Sequence, residues 1–248
     1  MQELIEIAAL KLAGARGCVA LTGAGISVES GIPPFRGQGG VWERIDPMKY
    51  AHIDAFRRDP QDVWRVLLGE MAEVLVKARP NAAHRGLARL EALGILTGII
   101  TQNVDGLHQM AGSREVIEFH GSFAQLRCIR CGSRHSACNL DLACLPPRCP
   151  CGEILRPDVI FFGEMIPHQA LLRARQLVRG CDVMLVIGTS ATVEPAAYMP
   201  VMAKHCGACI IEINPEPTPL THHISDHALM GKAGDTVRRI VAALERCR

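Results

Sequence analysis

The sequence predicts an α/β fold, a parallel sheet with helices on both faces, joined by a small second unit made from two insertions. Three observations carry this reading. Short apolar runs alternate with helical patterns along most of the chain. The clearest runs are continuous and β-branched rather than alternating, as strands buried on both faces of a parallel sheet should be. Residues 31–78 and 124–156 break the rhythm, the first turn-rich and then helical, the second rich in cysteine and proline.

Taken in order, "MQELIEIAALKLAGARG" has the pattern of an amphipathic helix with acids near its start. "CVALT" at 18–22 is the first strand and ends in the glycine turn "GAGISV". The first insertion opens on "GIPPFRGQGG". Asp59 and Pro60 then supply an N-cap and a first-turn proline for a helix running to about Lys77. A helix at about 80–93 leads to strand-like runs at 94–101 and 115–120. After the cysteines, helices at 167–180 and 194–206 alternate with "DVMLVIGTS" (182–190) and "ACIIEIN" (208–214), and a helix from 234 closes the chain. Right-handed crossovers put the strand C-termini on one edge, where ligands bind in such sheets.

A chain of 248 residues can hold one substantial core, or a core with a smaller insert. The net charge of +2 and an aromatic content of 4% give no reason to expect nucleic-acid or anionic-membrane binding. The first residues lack the basic start and apolar core of a signal peptide, and no apolar run approaches the roughly 18 residues of a membrane span. A soluble, cytoplasmic protein is expected.

Gly23 and Gly25 follow the first strand directly, where close approach to a phosphate is plausible. The dinucleotide fingerprint needs a third glycine, and Val28 stands there. The signal gains weight from Arg36, available for a phosphate, and from the other strand ends on the same edge.

The cysteines are sharper. Of eleven, Cys18, Cys181, Cys206, Cys209 and Cys247 are scattered and read as small core residues, while six lie between 128 and 151. Cys128 and Cys131, then Cys149 and Cys151, form two close pairs, the pattern of a four-thiolate structural zinc site. Cys138 and Cys144 lack a partner at that spacing. Arg127, Arg130, Arg134 and Arg148 are near enough in sequence to offset the charge of the four thiolates. Zinc then has no need of His120, eight residues ahead of Cys128.

"GAGISVESGIPPFRG", "TQNVDGLH", "FHGS", the two cysteine pairs, "LRPDVIFFGE", "GTS" and "INPE" occur in order and cover nearly the whole chain. Together they resemble the sirtuins, NAD-dependent protein-lysine deacylases, in a short bacterial or archaeal form. The resemblance implies a Rossmann-like part (1–32, 79–123 and 157–248) and a small part with helical (33–78) and zinc-ribbon (124–156) pieces, with a cleft between them. It implies that NAD lies on Gly23, Ala24 and Gly25, with Phe35, Arg36 and Trp42 at the loop. Gln102, Asn103 and Asp105 would hold the nicotinamide ribose and carboxamide. Gly188, Thr189, Ser190, Asn214, Pro215 and the backbone near Ala233 would complete the contacts. In this family the acyl oxygen of an acyl-lysine attacks the ribose carbon, and a ribose hydroxyl then needs a general base. His120 would be that base, with Asn103 as its catalytic companion. Partners would be acyl-lysine proteins or peptides, and the chain a monomer or weak dimer.

Each role has a plainer reading. Asn103 and Asp105 could cap the helix after the 94–101 strand. His84, His108, His168, His222, His223 and His227 read as surface or capping residues. Val159, Ile160, Phe161, Phe162 and Gly163 could be core, but such an extended segment beside a cleft is also what a substrate peptide pairs with as an added strand. Where sirtuins that prefer succinyl- or malonyl-lysine carry a Tyr-x-x-Arg pair, this chain has Leu67 and Glu70. Acetyl and other neutral or longer acyl groups are therefore expected to be favoured over succinyl and malonyl. Alternative readings are a protein mono-ADP-ribosyltransferase and a zinc-ribbon binding module without catalysis.

Overall fold

The computed structural model describes residues 1–35, 39–139, 141 and 144–246, with the side chains of Glu70 and Asn139 outside that description. Nine strands appear among the described residues: β1 (Cys18–Thr22), β2 (Leu96–Thr101), β3 (Val116–Glu118), β4 (Gly121–Cys128), β5 (Arg134–Ser136), β6 (Leu155–Val159), β7 (Val183–Ile187), β8 (Cys209–Asn214) and β9 (His227–Met230). Helices in chain order are α1 (Gln2–Ala13), α2 (Pro47–Tyr50), α3 (Ile53–Arg58), α4 (Pro60–Val63), α5 (Gly69–Lys77), α6 (Ala82–Ala92), α7 (Leu107–Met110), α8 (His168–Gly180), α9 (Tyr198–His205) and α10 (Ala233–Arg246).

Six strands make one parallel sheet in the order β3-β2-β1-β7-β8-β9. Every residue of β1 and β7 is buried, which is why their sequences show no alternation. Helices α1, α6 and α10 cover one face through Leu12, Leu87, Leu90, Ile240 and Leu244. Helices α8 and α9 cover the other through Ala174, Val178, Met199 and Ala203. Numbered within this sheet, the strand order is 3-2-1-4-5-6, the doubly wound Rossmann order, and it reverses between β1 and β7.

The remaining strands form an antiparallel sheet, β5-β4-β6. It shares a separate core with the helices of the first insertion, centred on Phe56, Trp64, Leu68, Phe123, Leu126 and Leu155. Trp64 is fully buried and its indole N–H donates to Leu155 O at 2.9 Å, tying the helices to the small sheet.

Two elements differ from expectation. The helix expected from Asp59 to Lys77 begins as predicted, with the Asp59 carboxylate accepting from Asp62 N at 2.9 Å, but a π-helical turn at Trp64–Leu68 divides it. β9 has no counterpart in the sequence reading. It is a short edge strand, mostly half-buried, so its side chains never formed the apolar run that marks a central strand. No helix is long and apolar enough to cross a membrane among the described residues.

Candidate active site

The strand order reverses between β1 and β7, and the loops leaving those strands touch. Gly23 N donates to Ile187 O at 3.1 Å and Gly25 N to Gly188 O at 2.8 Å. A Cβ on Gly23 would sit 2.7 Å from the Thr189 Cβ, and one on Gly25 would sit 2.7 Å from the Gly188 Cα. Gly188 has φ +60, and its own Cβ would run into Ile26 N. The three glycines are therefore required by loop-against-loop packing, a reason the lone G-x-G did not disclose. Ala24 opens a 3-10 turn to Ser30, and Glu29 in that turn accepts from Gly234 N, next to Ala233 at the start of α10, at 2.6 Å. Asn214 Nδ2 donates to Thr189 O at 2.9 Å, while Ser190 and Pro215 face solvent.

The chain after β2 is bound into the same edge. Gln102 N donates to Thr22 O and its side chain to Thr189 Oγ1, both at 2.9 Å, so it bridges the ends of β1 and β7. Asn103 is 6% exposed and donates from Nδ2 to Ser27 Oγ at 3.0 Å. Asp105 is the cap that the plainer reading expects, and it has a second partner besides. One carboxylate oxygen accepts from Leu107 N at 2.9 Å as a cap, and the other accepts from Ser27 Oγ at 2.7 Å.

Behind these residues lies a polar cluster. His84 and His108 are buried, with rings 4.9 Å apart edge to face. His84 Nε2 lies 3.5 Å from Ser27 Oγ and His108 Nε2 lies 3.0 Å from Thr22 Oγ1. His84 is a capping residue as expected, its Nδ1 accepting from Asn81 N, though its ring is buried. The reading of His108 as surface or capping needs correction, since its ring is buried against Thr22. Burial holds His84 down to about 4 and His108 down to about 3, so both are neutral.

His120 follows β3 on the same edge. Its Nδ1–H donates to Gln102 O at 3.0 Å, which fixes the tautomer and leaves Nε2 as the basic nitrogen. Burial, partly offset by that bond, puts its pKa below the usual histidine value. Phe35 and Trp42 stack at 5.2 Å, and Trp42 meets Phe162 at 6.5 Å, so the loop and the 159–163 segment share an aromatic row. Arg36 lies outside the described residues.

The sulfurs of Cys128, Cys131, Cys149 and Cys151 all lie within 4.8 Å of one another. Arg130 N and Cys131 N point at the Cys128 sulfur at 3.4 Å, the knuckle in which backbone amides stabilise a thiolate. Four convergent cysteines with no oxygen ligand fit tetrahedral Zn²⁺ and leave no open position for chemistry. Cys138 and Cys144 stay outside the group and are exposed. The charge-offset role expected for the arginines holds poorly, since Arg127 and Arg134 both reach Asp158, at 3.5 and 3.2 Å. Among the scattered cysteines Cys18 and Cys181 are buried as expected, but Cys206 is exposed.

Residues 23–195 match the profile of the Sir2 family. The chain is 50% identical over 236 residues to NAD-dependent protein deacylase 2 of Pyrobaculum aerophilum, spanning 95% of this chain and 94% of that one. The chain belongs to the Sir2 family. An NAD-dependent protein deacylase of Aeropyrum pernix is 48% identical over 247 residues, 98% of each chain. A solved ADP-ribose complex of a Sir2 homologue carrying a single substitution superposes with a TM-score of 0.93 at 45% identity, covering 96% of both chains. A Sir2 protein bound to a myristoylated histone peptide superposes with a TM-score of 0.86 at 37% identity, covering 100% of this chain and 99% of that one.

In this Sir2 chain the sequence reading missed Ser27, the hydroxyl on which Asn103 and Asp105 converge. It also missed Glu212, a carboxylate 1% exposed in β8 that accepts from Thr218, Thr221 and Ser225 hydroxyls at 2.5, 2.9 and 2.8 Å. A charged residue inside "CIIEIN", with hydroxyls six to thirteen residues on, was the available signal for it.

Proposed function

We propose that this Sir2 protein is an NAD-dependent protein-lysine deacylase, releasing free lysine, nicotinamide and acyl-ADP-ribose. The observation that carries the proposal is His120, oriented by Gln102, its Nε2 without a partner among the described residues and its pKa lowered by burial. NAD supplies the electrophile, a ribose carbon whose nicotinamide substituent leaves as a neutral amide. His120 Nε2 takes the proton from the attacking ribose hydroxyl. Its depressed pKa keeps it unprotonated at neutral pH, as a general base requires. Asn103, held by Ser27, and Asp105 orient the ribose beside it. The proposed NAD site runs over Gly23–Gly25 and Gly188–Ser190, with Asn214, Pro215 and Ala233 at the adenosine end and Phe35, Arg36 and Trp42 closing over it. Zinc at Cys128, Cys131, Cys149 and Cys151 holds the small part in shape and takes no step in the reaction.

Two separate cores support a two-part division, with the bounds moved: Phe123 and Phe161, which the sequence reading placed in the Rossmann-like part, pack in the small core. The proposal places the substrate peptide along Val159–Gly163 and favours neutral acyl groups. Leu67, which would favour an apolar acyl group, is a buried member of the small core. The Glu70 side chain lies outside the described residues.

A panel of acetyl-, butyryl- and succinyl-lysine peptides with NAD, read by mass for every product, tests the proposal. Equimolar nicotinamide and acyl-ADP-ribose are expected, fastest on a neutral acyl group. ADP-ribose left on protein would point to transferase chemistry instead, and faster desuccinylation would sink the acyl preference.

A further inference from the structure

Arg156 in β6 and Glu164, five residues beyond that strand, form a largely buried ion pair that no catalytic step uses. Arg156 is 5% exposed, and its guanidinium grips Glu164 with two bonds, Nη1 to Oε1 at 2.8 Å and Nη2 to Oε2 at 2.6 Å. The same guanidinium donates to Val159 O at 2.7 Å and lies 4.7 Å over the Phe161 ring. Glu164 returns the contact to the backbone, accepting from Phe161 N at 2.9 Å, while its own N–H donates to Phe161 O at 3.1 Å. The pair thus closes the stretch from the end of β6 to Glu164 into a ring.

What the ring holds is informative. Ile160 N donates to His120 O at 2.8 Å, and Phe162 exchanges bonds with Ala51 O and Ile53 N, both at 2.9 Å. Gly163, with φ +85, has neither its N–H nor its C=O paired among the described residues. The edge left for an added strand is therefore short, and the clamp sets its direction. Met165, the next residue after Glu164, is 91% exposed beside it.

Stability alone is a poor reason for such a pair. Two charges removed from water gain little net free energy, and apolar side chains of similar volume often serve as well or better. A bidentate fork does fix geometry, because both partners are held in position and orientation.

We propose that Arg156 and Glu164 are positioning residues that aim the unpaired backbone of Gly163 at the substrate peptide, in fixed register with His120. The inference rests on the deacylase reading, since it needs a peptide at this edge. Neither residue touches the reacting atoms. Their effect passes through the loop, and its signature is a loss in peptide binding without a loss in NAD binding.

Steady-state kinetics on the zinc-loaded full chain test this, with an acetyl-lysine peptide and NAD varied separately. Glu164→Gln, Arg156→Lys and the apolar pair Arg156→Met/Glu164→Leu are compared with wild type, each with its melting temperature. The expected result is a peptide KM raised about tenfold, the scale on which small misplacements act, with the NAD KM within about twofold. Arg156→Lys, which keeps the charge but not the fork, should recover only part of the loss. The apolar pair should keep its melting temperature and still show the raised peptide KM. An apolar pair with wild-type peptide KM overturns the proposal, as does a peptide KM that moves only together with the NAD KM. Should the apolar pair not fold, Glu164→Gln decides by the same split. A wild-type chain that turns over no acyl peptide overturns the deacylase reading itself, a result the variants cannot mimic.

Discussion

The two sheets of this molecule are held together in different ways. The six-stranded sheet buries largely apolar strands between two helical layers and pairs inner polar groups with one another, Thr22 with both Thr101 and His108. The three-stranded sheet has a smaller core, and two of its buried side chains, Cys128 and Cys149, belong to the four-sulfur cluster. One part is stabilised by many small increments. The other depends on a single centre, as small folds with few apolar residues commonly do.

The largest effect should come from removing that centre. Structural zinc contributes roughly 10–16 kcal/mol of binding free energy in small peptides. Chelation, or Cys149→Ser, is expected to release the metal, disorder the small sheet and abolish deacylation. Circular dichroism should show most of the helix and parallel-sheet signal persisting. Loss of the whole signal in one transition would break the contrast between the two parts.

Next in size is His120→Ala, which removes the proposed base from the large part and takes from its core a ring contact with Phe119. Deacylation should fall by roughly 10²–10⁴, with zinc content and melting temperature close to wild type. Because burial depresses the His120 pKa, the acid limb of kcat/KM should lie below about 6.5, the ordinary histidine value. An acid limb above that value would argue against His120 as the base.

How much of this was legible beforehand follows from where the partners sit in sequence. The strand runs, the two cysteine pairs and the motif residues could be read locally. The roles of His84 and His108 could not, because their partners Ser27 and Thr22 lie 57 and 86 residues away and meet them only across neighbouring elements. The reason for Gly188 was hidden in the same way, since its positive φ and its contact with Gly25 exist only once β1 and β7 are adjacent. The π-helical turn had no signal in a sequence that reads as a continuous helix.

The histidine pair offers a pH test confined to the large part. Both folded pKa values lie below the unfolded value, near 6.5, so the unfolded chain binds these protons first as pH falls. Their contribution to stability is complete above about 6.5 and is lost progressively toward 4 and 3. Each proton contributes a slope of roughly 1.4 kcal/mol per pH unit within that window. Thermal melts between pH 7.5 and 4.5 should show His108→Asn with a shallower decline than wild type. Parallel curves for the two proteins would mean that His108 takes no part in the acid sensitivity.

The smallest effect asks whether the large part does lose stability in increments. The Glu29 carboxylate meets Gly234 N at 2.6 Å, at the start of a fourteen-residue helix, where a negative charge opposes the free amides and the positive end of the helix dipole. Glu29→Gln keeps an oxygen that can accept the bond and removes the charge. The expected loss is about 0.3–1 kcal/mol, which for a chain of this size lowers the melting temperature by about 1–4 °C. Zinc content should not change, because Glu29 sits in the turn after β1 and its bonded partner is α10, both in the large part. A drop well beyond that range, or zinc released along with it, would mean that a local weakness in one part is felt in full by the other. The two modes of stabilisation would then be coupled through the contacts between the parts, and the contrast would hold for composition but not for energetics.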